Sequence, residues 1–289
     1  MYADCLDLTP AYPVGGRIVR LRVFSTIVGL LATFRPRDRT RLDRGAAPAT
    51  PVDSPAAGRL RARPRLPSAS PAPGLHRLHL AEGRDTVLYV PSGYRPGVPA
   101  PFVLSLHGAG GNAEGGLYPL RDLADEAGLI LLSPSSRGRT WDVILGDYGP
   151  DVTFIDQSLN EAFGMVDVDP DRLAIAGFSD GASYALSIGL SNRDLFGHIM
   201  AFSPGFAAPA AVVGKPRIFV SHGVHDHVLP IEATSRRVVP LLKREGYDVQ
   251  YVEFDGAHNV PPEIARAAVD WFLAGQDSSA RTAGTFAAR

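Results

Sequence analysis

The stretch LAIAGFSDGASYALSIGL, residues 173–190, decides the fold. From Leu173 to Gly177 it is small or apolar without alternation, as in a parallel strand covered on both faces. Beyond Ser179 the apolar spacing becomes helical. A strand that runs straight into a helix turns sharply, and Gly177 and Gly181 flank the turn where backbones pack too closely for a side chain. Such a turn lifts the Ser179 hydroxyl above the sheet at a helix N-terminus, which favours the negative charge that develops during attack. Ser179 is therefore the candidate nucleophile.

Outward from this turn the same texture repeats. Short apolar runs predict strands over residues 86–90, 102–106, 129–133, 173–178, 198–202, 217–221 and 249–254. Helical patterns predict helices over 117–127, 152–165, 181–191, 231–245 and 262–274. Strands alternating with helices imply an α/β fold, a doubly wound and mostly parallel sheet, whose functional residues gather on loops at the strand C-terminal ends. No insertion long enough for a separate lid lies between Gly181 and Asp226.

Three further loops at predicted strand ends carry chemistry. LHGAGG (106–111) is glycine-rich and can turn backbone N–H groups toward a substrate carbonyl; the amides of Ala109 and Asp180 are the candidate oxyanion donors. It lacks the Lys and hydroxyl of a phosphate loop, and His107 is read as structural. SHGVHDHVLP (221–230) supplies Asp226, and FDGAHN (254–259) supplies His258. The order Ser, Asp, His suits a nucleophile, an orienting acid and a general base on such a sheet. Asp255 is nearer to His258 in sequence, but its short loop is expected to hold the carboxylate beside its own backbone, so Asp226 is preferred. A metal-dependent alternative, using His222, His225, Asp226 and His227, lacks the helical spacing that aims such ligands together. The loop 135–149 offers Trp141 and Tyr148 as pocket walls, with Phe206, Val228 and Leu229 as further wall residues.

Composition bounds the partners. Apolar residues make up 45% and charged residues 20%, an ordinary globular balance, and the net charge is −1. No global field draws in nucleic acid or an anionic membrane, so a small neutral partner is expected. Cys5 is the only cysteine, which excludes an intrachain disulfide and a cysteine metal cluster. An apolar run at residues 23–34 follows Arg17, Arg20 and Arg22, but it is too short to span a bilayer and no cleavage site follows it. No stable membrane insertion and a cytoplasmic location are expected, the alternative being export or membrane association through residues 17–34. Residues 35–74 are dominated by Arg, Pro and Ala and are expected to be disordered. Residues 1–74 thus form an extension whose removal up to residue 70 should be tolerated, 75–275 the folded domain, and 276–289 a flexible tail. Nothing sets an oligomeric state.

The four motifs LHGAGG, GFSDG, HGVHDHVLP and GAH, in this order between about residues 75 and 275, resemble the α/β-hydrolase superfamily. The resemblance is to its carboxylesterase and phospholipase branch, which includes acyl-protein thioesterases, with polyhydroxybutyrate-depolymerase-like and feruloyl esterases as relatives. It implies a serine hydrolase that cleaves short to medium acyl or aryl carboxylic esters through an acyl-enzyme, with no metal or organic cofactor. Alternatives within it are a polyester depolymerase, a feruloyl-type esterase or a peptidase; a catalytically silent binding protein could share the fold. Asp180 departs from the amide or other uncharged residue frequent after the nucleophile, and is expected to disfavour anionic substrates.

Overall fold

The computed structural model describes residues 54–274. Its centre is an eight-stranded sheet in the order β1-β2-β4-β3-β5-β6-β7-β8. The strands are β1 (Gly74–Arg77), β2 (Thr86–Val90), β3 (Ala100–Leu106), β4 (Ile130–Pro134), β5 (Val168–Phe178), β6 (His198–Phe202), β7 (Arg217–Gly223) and β8 (Val249–Phe254). β1 and β2 pair antiparallel to their neighbours, and every pairing from β4 to β8 is parallel. The expected doubly wound, mostly parallel sheet is therefore present.

The helices are α1 (Ala113–Gly116), α2 (Ala124–Ala127), α3 (Asp142–Leu145), α4 (Pro150–Phe163), α5 (Asp180–Ser191), α6 (Ser235–Arg244) and α7 (Pro262–Ala274). Strand alternation sorts the core into two layers. Phe102, Leu104, Ile175, Ile218 and Val220 face α4, α5 and α6, where Ile155, Leu159, Tyr184, Ile188 and Leu242 meet them. Val103, Ala174, Ala176 and Phe219 face the other side, covered by Ala124 and by Ile264, Ala268, Val269 and Phe272 of α7. Burying each large apolar side chain contributes roughly 1.5–3 kcal/mol, so the sheet is held from both faces.

The helix expected over 117–127 is instead a 3-10 turn at Arg121–Leu123 and the short α2, set apart from α1, which ends at Gly116. Pro119 lies between α1 and that turn, and it has no amide hydrogen to continue a helix. Strand β1 was not anticipated: its four residues alternate between exposed and half-buried at the sheet edge, too short a pattern to stand out.

Residues 54–74 correct the expectation of disorder. Leu60 is 1% exposed within the first core layer. Arg59 grips Asp194 through Nη1 and Nη2 at 2.8 and 2.9 Å, and the Asn192 side chain accepts from the Leu60 amide at 2.9 Å and donates to the Gly58 carbonyl at 2.7 Å. Asp156 accepts from the Arg61 and Ala62 amides at 2.6 and 2.8 Å. Polar anchors on α4 and just beyond α5 thus fix a segment whose composition alone could not. The packed unit starts well before Leu75. Residues 1–53, including Cys5 and the run at 23–34, and residues 275–289 lie outside the described ones. Among the described residues, no helix is long and apolar enough to cross a membrane.

Candidate active site

Four parallel strands deliver the candidate residues to one end of the sheet. At the end of β5, Ser179 takes φ 60° and ψ −121°, a strained conformation for a residue with a Cβ. A side chain at Gly177 would strike the Gly181 carbonyl, and one at Gly181 would strike the carbonyls of Leu106 and His107. These contacts explain why glycine brackets the turn. The Ser179 amide is fixed by the Phe202 carbonyl of β6 at 2.9 Å.

His258 Nε2 lies 2.9 Å from Ser179 Oγ, and His258 Nδ1 lies 2.6 Å from Asp226 Oδ2. The other carboxylate oxygen, Oδ1, accepts from the Val228 and Leu229 amides at 2.9 and 2.8 Å. Burial works to raise the Asp226 pKa, but hydrogen bonds from His222 and His258 and from the Leu229 amide outweigh it and hold the carboxyl well below the ordinary carboxylate range. An ionised Asp226 in turn requires a proton on His258 Nδ1, leaving Nε2 free to accept from the serine hydroxyl.

The acid and base loops are in direct contact. A Cβ on Gly223 would collide with the carbonyls of Gly256 and Ala257, and the His225 amide donates to the Gly256 carbonyl at 2.9 Å. Asp255 does not turn to its own backbone as expected; its Oδ1 meets His225 Nε2 at 3.0 Å on the exposed side of these loops. The crowded histidines accordingly point different ways. His222 is fully buried, with Nδ1 2.7 Å from Ser235 Oγ and Nε2 between the Leu229 carbonyl at 2.8 Å and Asp226 Oδ2 at 3.1 Å. His258 is further held by the Phe178 ring, 4.7 Å away between centroids, and its loop by Tyr118, whose hydroxyl bonds both the amide and carbonyl of Val260 at 3.0 Å.

The candidate oxyanion donors stand beside the serine. Asp180 opens α5, so its amide has no intrahelical acceptor. Ala109 is exposed, and among the described residues no carbonyl accepts from its amide. Gly108 approaches closely enough that a Cβ there would lie 3.4 Å from Ser179 Cβ. His107 is structural in its contacts: Nδ1 donates to the Gly108 carbonyl at 2.7 Å while Nε2 accepts from the Ser136 amide at 2.9 Å. Burial lowers its pKa to about 4, so the ring stays neutral and keeps that tautomer at neutral pH.

Not all wall candidates face the site. Trp141 is fully buried, stacked on Tyr184 with centroids 5.0 Å apart, and its Nε1 donates to the His107 carbonyl at 2.9 Å. Tyr148 is buried too, its hydroxyl bonded to the Ala208 carbonyl at 2.8 Å. Both are braces behind the loops, because their polar tips find backbone partners inside. Val228 is exposed, Phe206 and Leu229 half-buried, and Leu229 lies beside Gly205, whose amide donates to Ser183 Oγ, one helical turn along from the serine, at 2.9 Å. Sequence reasoning missed Thr140, whose hydroxyl donates to Asp180 Oδ2 at 2.6 Å, and the bracing roles of His222, Tyr118 and Phe178. Only His222 carried a signal, since it directly follows the buried run predicted as a strand over 217–221.

The chain is similar to known esterases in sequence and in fold. Residues 152–273 match a family described as phospholipase/carboxylesterase, a span that holds Ser179, Asp226 and His258 but not the loop 106–111. The chain is 27% identical over 158 residues to feruloyl esterase C of Emericella nidulans, covering 52% of this chain and 57% of that protein. It is 30% identical over 156 residues to a Nocardia uniformis protein carrying the name esterase NocK, covering 48% of this chain and 45% of that one. The matches thus span about half the length of these relatives. Among solved structures, S-formylglutathione hydrolase from Staphylococcus aureus superposes with a TM-score of 0.55 at 13% identity, covering 71% of this chain and 99% of that one. Esterase PE8 superposes with a TM-score of 0.52 at 20% identity, covering 65% and 96%. These two likenesses concern the fold.

Proposed function

We propose that the chain is a serine hydrolase of carboxylic esters of the α/β-hydrolase type, with Ser179 as nucleophile, His258 as general base and Asp226 as the orienting acid; the similarity to a phospholipase/carboxylesterase family and to esterases supports this reading. The observation that carries the reading is the continuous series from Ser179 Oγ through His258 to Asp226 Oδ2, at 2.9 and 2.6 Å, next to two amides without acceptors. Ser179 Oγ attacks the ester carbonyl as its proton passes to His258 Nε2, and the carbonyl oxygen becomes an oxyanion facing the Ala109 and Asp180 amides. His258 then returns the proton to the departing alcohol, leaving an acyl-serine. Water, deprotonated by the same imidazole, attacks the acyl carbon and releases the acid and free serine.

The substrate is a small ester with a short to medium acyl or an aryl group. The exposed Val228 and half-buried Leu229, both bonded through their amides to Asp226, support this size, and the similarity to a protein named feruloyl esterase C favours aryl acids among the candidates. Purified protein and its Ser179→Ala variant, assayed on p-nitrophenyl esters of graded acyl length and on methyl hydroxycinnamates, test the reading. Hydrolysis by the parent alone, with matching circular dichroism, is the expected result. Comparable turnover by both overturns it.

A further inference from the structure

We propose that residues 139–141 act as a clamp that positions both candidate oxyanion donors, with Thr140 the positioning residue for the donor at Asp180. The inference rests on the serine esterase reading above. Three consecutive residues reach two loops that come from different strands. The Arg139 carbonyl accepts from the Gly110 amide at 2.7 Å, and Trp141 Nε1 donates to the His107 carbonyl at 2.9 Å. These bonds hold the turn on either side of Ala109, whose amide has no carbonyl acceptor of its own among the described residues. Between them Thr140, buried, donates its hydroxyl to Asp180 Oδ2 at 2.6 Å.

The clamp has its own foundation. Asp142 accepts from the Asp151 amide at 3.0 Å and Asp151 from the Asp142 amide at 2.7 Å, which closes the loop behind Trp141. Tyr184, on the helix that begins at Asp180, donates to Asp142 Oδ1 at 2.8 Å and stacks on the Trp141 indole. Segment 139–141 is therefore referenced to the nucleophile helix on one side and to the glycine-rich loop on the other.

Charge explains why Asp180 needs a tether. Its amide faces the forming oxyanion, while its carboxylate, if free to rotate toward the same space, would oppose that charge. The Thr140 hydroxyl selects one carboxylate orientation and keeps the amide, not the acid, directed at the substrate oxygen.

A double-mutant cycle tests this on full-length protein. Thr140→Val, Thr140→Ser, Asp180→Ala and the Thr140→Val/Asp180→Ala double variant are compared for kcat and KM on one p-nitrophenyl ester. Affinity for an arylboronic acid, which forms a tetrahedral adduct with the serine, is measured alongside. Thr140→Val should lower kcat on the order of tenfold and weaken boronate binding by a similar factor, with KM within about twofold. Thr140→Ser should restore both, and in the Asp180→Ala background Thr140→Val should change kcat less than about twofold. Parental kcat and boronate affinity in Thr140→Val, or the same loss in the Asp180→Ala background, overturns the clamp. If Thr140→Val fails to fold by circular dichroism, and so does Thr140→Ala made in its place, Thr140 serves stability and the positioning role is overturned. Ser179→Ala in the same series separates the two readings: its inactivity beside a fully active Thr140→Val removes only the clamp, whereas its activity removes the esterase reading itself.

Discussion

His222 Nε2 lies 3.1 Å from the same Asp226 oxygen that meets His258 Nδ1 at 2.6 Å, so one carboxylate oxygen is shared by two imidazoles. Its twin is occupied by the Val228 and Leu229 amides. The carboxylate therefore cannot rotate without breaking a bond at either end, and this decides what an amide would do in its place. In Asp226→Asn the backbone amides would keep the side-chain oxygen on their side and force the NH2 toward His258. That donor would demand an unprotonated Nδ1 and place the proton on Nε2, the tautomer unable to accept from serine. We expect kcat to fall on the order of 10³- to 10⁴-fold with KM little changed.

Asp255→Asn should behave differently. The Asp255 carboxylate touches the exposed His225, and surface pairs of this kind contribute little. We expect kcat within about twofold of the parent, since exposed ion pairs rarely matter beyond that. A larger kcat loss at Asp255 than at Asp226, in steady-state kinetics on both variants, would reverse the acid assignment.

The N-terminal strap makes a stability prediction. A chain starting at Leu75 loses the Leu60 side chain from the core and leaves Asn192 without its strap partners, whereas a chain starting at Ser54 keeps both. Leu60→Ala alone should cost about 2–5 kcal/mol as a core truncation. Thermal denaturation should show a lower Tm, or insolubility, for the chain starting at Leu75 and for Leu60→Ala. Equal Tm values for both starts would mean that the strap contributes no net stability.

His198 should govern part of the acid sensitivity. Its ring is buried against Trp271 and Phe272, neither nitrogen has a hydrogen-bond partner among the described residues, and burial lowers its pKa to about 4. The unfolded chain takes up that proton near 6.5 and the folded chain only near 4, so stability falls as pH drops through this window. The full shift corresponds to on the order of 3 kcal/mol. His198→Leu should therefore flatten the dependence of Tm on pH between about 4 and 6.5, without loss at pH 7, because two unsatisfied nitrogens disappear. An unchanged slope would assign acid sensitivity to other groups.

Residues 203–216, between β6 and β7, contain no helix or strand that could cap the site. Hydrolysis of tributyrin should consequently rise smoothly through its solubility limit. A jump in rate when droplets form would reveal a cover over the serine that opens at an interface.

How far the sequence could be read follows from how local each signal is. Ser179 was legible because strand, turn and helix that create its geometry are contiguous, and the flanking glycines record close contacts at positions fixed by that turn. Asp226 and His258 were legible as loop residues at strand ends, although the shared oxygen and the loop contact at Gly223 were not, since they depend on approach between distant segments. Trp141 was read as a wall because a loop aromatic does not announce its direction; its indole bond to His107 crosses between two loops. The strap failed for a related reason. One leucine and an arginine carry no periodicity, and their partners, Asn192 and Asp194, lie more than a hundred residues away.

The contact of Gly223 with the Gly256 and Ala257 carbonyls bears on how this protein could be re-engineered. It fastens acid and base loops at a point below the reacting atoms, so displacement of one would drag the other along. Diversity aimed at new esters is then best placed at Val228, an exposed residue two positions beyond Asp226. A combinatorial library that also varies residue 223 should be depleted of active clones wherever glycine is lost, whatever pocket the rest of the sequence encodes.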